Sequence, residues 1–122
     1  MERIEEFSLN GKNFMYIDFS DFKTNDEFLE LSKIVEPLIA KYPEHSLYTI
    51  TNIENVKFDF DSKKICAEYM KHNKPYVKYG AIYGLDGIIK VIVNAIIKMS
   101  GRNNMRFVFS KEQAFEWLQQ QD

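Results

Sequence analysis

Tyr79-Gly80-Ala81-Ile82-Tyr83-Gly84-Leu85-Asp86-Gly87-Ile88-Ile89-Lys90-Val91-Ile92-Val93-Asn94-Ala95-Ile96-Ile97-Lys98-Met99-Ser100-Gly101 is the stretch on which the fold turns. It reads as a short β-favouring run, a glycine-punctuated break, and then the most apolar helix of the chain. Lys90, Asn94 and Lys98 are the only polar residues between Ile88 and Met99. Their four-residue spacing puts them on one stripe roughly 80° wide, so apolar side chains cover most of the helix. A helix resting on one face of a sheet needs less than that.

Outward from this stretch the chain alternates. Ile4 to Leu9, Asn10-Gly11 and Asn13 to Phe19 form a predicted hairpin, because Asn-Gly supplies the positive φ angles of a type I′ turn. Met15, Ile17 and Phe19 share one face of its second strand and Phe14, Tyr16 and Asp18 the other, which makes that strand central. Thr24 and Glu27 stand at capping-box spacing before Phe28, Leu31, Val35, Leu38 and Tyr42, the apolar stripe of a helix that Pro37 is expected to kink or break near Lys33 to Glu36. Leu47 to Ile53 is a third strand, Ser62 to His72 a second helix, and Val77 to Tyr83 the strand entering the opening stretch. Met105 to Phe109 is a fifth strand, and Ser110 with Gln113 opens a final helix. The expected fold is therefore α/β: a mixed, mostly parallel sheet of about five strands starting with a β-hairpin, with four helices.

Composition narrows the function. The 122 residues suit one domain, large enough to bury about 65% of the surface its unfolded chain exposes. A net charge of −2 gives no broad basic field, so nucleic acid is not an expected partner. The single cysteine, Cys66, excludes an internal disulfide and a Cys-rich zinc site, and it fits a cytoplasmic setting. Met1 to Glu6 has no secretory pattern, and Ile88 to Met99 is about a dozen residues against roughly 20 for a bilayer span, so no integral membrane segment is expected.

The hairpin followed by alternating helices and strands, ending in Arg106-Phe107-Val108-Phe109 and then Ala114-Phe115-Glu116-Trp117-Leu118, resembles the STAS-like domains. These include the bacterial anti-sigma-factor antagonists, and the likeness is greatest to their small, single-domain relatives. The resemblance implies one STAS-like domain over residues 1–122, working as a regulatory or protein-interaction module. It also implies a phosphoacceptor: Asp61-Ser62 occupies the place of the aspartate-serine pair at the helix start after the third strand, so Ser62 is the candidate. Charge added at a helix N-terminus can remove or create a binding surface. Lys63-Lys64 departs from the small hydroxyl residue and glycine of the family pattern. A plain helix cap from Ser62 or Asp61 would equally account for both residues.

No catalytic constellation emerges. His45 follows one helix end and His72 lies near another, neither with an implied carboxylate partner, and Cys66 and His72 lie about 240° apart around one helix, too far to share a metal. Asp59 and Asp61 flank Phe60, with Asp18 and Asp21 near the second strand's end, as expected of solvated loops. Gly80, Gly84 and Gly87 match neither dinucleotide nor P-loop spacing, and Asp86 is placed to cap the helix amides against an anion. No metal, cofactor or enzymatic activity is expected.

The helix from Ile88 to Met99 carries the functional weight. With Ile88, Val91, Ile92, Ala95 and Met99 taken as its inward face, Ile89, Val93, Ile96 and Ile97 extend the apolar surface sideways as a candidate interaction or apolar-ligand surface. Flanking helices, a second copy in a homodimer, or an apolar ligand or membrane edge would each cover it. Two functions follow: a non-enzymatic domain acting through protein contacts, or a binder of a small apolar or lipid-like ligand between the sheet and this helix.

Overall fold

The computed structural model describes residues 2–59 and 61–122; Phe60, expected in the loop before the second helix, lies outside them. A hairpin of β1 (Ile4–Leu9) and β2 (Lys12–Asp18) opens the chain. It continues through α1 (Asn25–Ile39), β3 (Leu47–Asn52), α2 (Ser62–Asn73) and β4 (Val77–Tyr83) to α3 (Gly87–Ser100), β5 (Met105–Phe107) and α4 (Lys111–Gln119). The five strands lie side by side in chain order, β1 antiparallel to β2 and all later pairs parallel. This is the α/β fold, with its mixed sheet and four helices, that the alternation predicts.

Strand order decides where the helices go. Every crossover steps across the sheet in the same direction, and right-handed crossovers that step one way return their helices to one face. Thus α1, α2 and α3 pack side by side over Met15, Ile17, Leu47, Val77 and Ile82. The other face, carrying Phe14, Tyr48, Ile50, Ala81 and Tyr83, is covered by α4 through Ala114 and Leu118. There Phe14 stacks on Phe7 at 5.1 Å, and Phe115 packs tilted against Phe14 at 5.1 Å. Lys12 ties the hairpin to the end of α4, its Nζ donating to the carbonyls of Gln119, at 2.8 Å, and Gln121.

Local chemistry sets the element ends. Asn10 and Gly11 take φ of 53° and 80°, the geometry expected of the hairpin turn. The Thr24–Glu27 capping box forms, contributing about 1 kcal/mol to helix α1. Pro37 does not break that helix, which continues to Ile39 with Pro37 exposed in its last turn. A proline so close to the C-terminus forfeits one hydrogen bond while the apolar stripe of Val35 and Ile39 still anchors the turn. β5 stops at Phe107, short of the expected Phe109, although the Val108 amide still bonds the Ile82 carbonyl at 2.9 Å.

The rotation of α3 corrects the sequence reading. Val93, Ile96, Ile97 and Ser100 are buried, and Ile89 and Ile92 pack half-buried beside them. Ile88, Val91 and Met99, taken as inward, are instead 78%, 70% and 55% exposed. At 100° per residue these three lie between the polar stripe and the buried arc, so one edge of the apolar surface faces outward. Periodicity could not separate two adjoining arcs that are both apolar. Packing against α2, within the cluster shared with the sheet, made the choice.

Candidate ligand cavity

A cavity of about 70 Å³ lies between the sheet and helices α1 to α3. It runs lengthwise along the strands. Where the parallel strands finish, Phe19, Phe28, Ile53 and Phe58 line it; where they begin, Asn73, Val77, Arg102 and Met105 do. Phe19 and Phe28 stack at 4.7 Å, and Tyr69 of α2 meets them edge-on at 5.5 and 5.3 Å. Val93 and Ile96 form the α3 wall, while Thr49 and Thr51 come from β3. Most of the lining is apolar, with a few polar groups at defined places, as in small-molecule sites.

Arg102 is the unusual member. α3 ends at Gly101, whose φ of 75° lets the chain turn back, and the Arg102 amide bonds the Ile97 carbonyl at 3.3 Å. This turn carries the guanidinium inward until the residue is only 7% exposed. Nε donates to Asn104 Oδ1 at 2.9 Å, Nη1 to the Met70 carbonyl at 3.1 Å, and Nη2 to Met105 Sδ at 2.9 Å. Among the described residues the one ion pair is Arg3 with Asp18, so no carboxylate neutralises Arg102. Burial pulls the guanidinium down from its ordinary value to about 10. The Met70 carbonyl, in the last turn of α2, offers the partial negative charge of a helix C-terminus.

Neighbouring ionisable groups are held neutral. Burial pushes the Tyr69 phenol well above its usual range and the Cys66 thiol up to about 12. Such a thiol is neither nucleophile nor ligand at neutral pH. Outside the cavity lies a cleft of about 360 Å³ bordered by Lys23, Asn55, Lys57 and the α3 start. Ile53 and Phe58 line both spaces and form the wall between them. Asp86 caps α3 by accepting from the Ile89 amide at 3.0 Å.

The residues singled out from sequence divide into two places. Val93 and Ile96 line the cavity, Ile89 borders the outer cleft, and Ile97 is buried beside them. As a free interaction surface these four are corrected: α2 and the sheet already cover most of them. Ser62 sits apart, at the junction of α1 and α2, and the exposure expected of a phosphoacceptor is absent. It is 2% exposed, its Oγ donates to Asn25 Oδ1 at 2.9 Å and accepts from the Asp59 amide at 2.9 Å. Neither Ser62 nor Asp61 is the side-chain cap. Asp59 Oδ1 fills that role, accepting from the amides of Asp61 at 3.0 Å and Ser62 at 3.1 Å.

The remaining carboxylates serve separate partners, Asp18 with Arg3 and Asp21 with the Asn55 amide. Among the described residues no three His, Cys, Asp or Glu side chains stand close enough to hold a metal, and no helix is long and apolar enough to cross a membrane. Arg102, just beyond the end of α3, carries no signal of its role in the sequence. An arginine after a capping glycine ordinarily points to solvent, and no spacing in the sequence marks this one as buried.

No known family model matches the chain, and no curated protein matches its sequence.

Proposed function

We propose that the protein is a non-enzymatic, cytoplasmic STAS-like domain that holds a small, largely apolar ligand between its sheet and helix α3. The hairpin followed by alternating helices and strands supports the STAS-like part of this reading. The observation that carries the binding function is the cavity itself, roofed by Val93 and Ile96 and floored by the sheet. Well-packed interiors contain few voids larger than a water, so a lined space at this position is a feature to be explained by what occupies it. Native mass spectrometry of the protein from its own cells, with a thermal-shift screen of small apolar compounds, tests the reading. A copurified species or a stabilising compound is expected, and Val93→Phe, which fills the space, should abolish the effect. Neither species nor stabilisation would sink it.

A second reading, contact with a protein partner or a second copy in a homodimer, is favoured by the outer edge of α3. Ile88, Val91 and Met99 expose apolar surface there, and exposed apolar patches mark interfaces. Light scattering over a hundredfold concentration range tests self-association, and a monomer throughout would remove the homodimer.

A further inference from the structure

The apolar walls of the cavity do not account for Arg102. A guanidinium carries five N–H donors and cannot shed its charge at neutral pH. Here the described residues engage three of them, one on a thioether sulfur, which is a weak acceptor. One N–H on each terminal nitrogen is left over, and two donors on one planar guanidinium are the complement that a carboxylate's two oxygens require. Buried charges are paired, and removing the partner of such a pair leaves an uncompensated charge. Arg102 is also the one cation among the residues lining the cavity, which suits a singly charged group better than a phosphate dianion.

Size limits the rest of the ligand. A space of about 70 Å³ admits only a small molecule. We propose that Arg102 is the head-group site of this cavity, taking the carboxylate of a short-chain monocarboxylate. The alkyl tail then lies along the strands toward Phe19 and Phe28, at the opposite end of the lining. This rests on the reading of the cavity as a ligand site.

The test compares butyrate with butan-1-ol, at matched ionic strength, by calorimetry and thermal shift on wild type, Arg102→Met and Val93→Phe. Wild type should bind butyrate about tenfold or more tighter than the alcohol, as a charge-assisted fork predicts. Arg102→Met should erase that preference while keeping the alcohol, and Val93→Phe should lose both probes. In nitrogen-15-labelled wild type the Arg102 Nε–H resonance should move with butyrate and stay with butan-1-ol, a readout that survives if Arg102→Met does not fold. Equal affinity for the two probes, a preference that persists in Arg102→Met, or an unmoved resonance overturns the head-group role and leaves the apolar site intact. Binding of neither probe by wild type overturns both.

Discussion

The Ser62 hydroxyl donates a 2.9 Å hydrogen bond to Oδ1 of Asn25, joining the first turn of α2 to the first residue of α1. The same oxygen accepts from the Asp59 amide, so three chain segments meet on one buried hydroxyl. Ser62→Ala should lower stability by about 1–2 kcal/mol, because it strips partners from two polar groups. Ser62→Asp should cost more, since a charge replaces a satisfied hydroxyl in a closed space. Urea unfolding of both variants measures this; an aspartate variant as stable as wild type would mean the site opens readily.

The neighbouring carboxylate ties stability to the acid end of the pH range. The Asn25 amide, then the Ser62 backbone amide, holds the exposed Asp59 carboxyl below the usual aspartate range. Its charged form is thus favoured in the folded chain, and the stabilisation is complete above an unfolded value of about 4 and fades as pH falls through the lowered folded one. Urea midpoints from pH 6 to pH 2 should drop more steeply in wild type than in Asp59→Ala over the acid end of that range. Parallel curves would remove Asp59 from the acid response.

Two matched substitutions read out the rotation of α3. Ile96→Ala, at a buried site, should cost about 2–5 kcal/mol, whereas Ile88→Ala, at a site 78% exposed, should stay within about 0.5 kcal/mol. The pair differs only in which arc of the helix is cut. Comparable losses at both positions would place Ile88 under cover.

Gly84 has φ of 95°, and an added Cβ would lie 2.5 Å from the Glu54 amide nitrogen. Gly84→Ala should therefore cost about 2 kcal/mol or more, from strain and backbone displacement together. Gly87, where a Cβ meets nothing within 4 Å, is the control. Gly87→Ala should be neutral or stabilising, as alanine is the better helix former. Thermal melting of the two variants should separate them clearly.

Cys66 is buried, and burial lifts its thiol to about 12. At pH 8 its thiolate is scarce, and a thiol-specific chromogenic reagent should react only as fast as the chain opens. Added urea should accelerate the reaction in step with unfolding. Labelling of the native protein at the rate of a free thiol would contradict the packing around α2.

Much of this architecture is legible in local chemistry. Asn10-Gly11, the Thr24–Glu27 box and the apolar alternation of β2 each state their structure within a few residues, and the order of elements follows. The contact between Ser62 and Asn25 spans 37 positions, and neither residue betrays it alone. The face of α3 was undecidable for a related reason: Ile88 and Ile89 are chemically the same, and only the seat offered by α2 distinguishes them. Arg102 defeated sequence reasoning because its burial depends on a turn at Gly101 and on acceptors far away in the chain, such as the Met70 carbonyl of α2.

The one-sided placement of α1 to α3 bears on synthesis by the ribosome. Met15, Ile17 and Val93 can be sheltered as each successive helix emerges, but Phe14, Tyr48 and Ala81 must wait for residues 111–119. Until then an aromatic sheet surface stands bare to neighbouring nascent chains and to chaperones. The grip of Lys12 on the carbonyls of Gln119 and Gln121 is then a late latch, closing the hairpin with a helix made after all five strands.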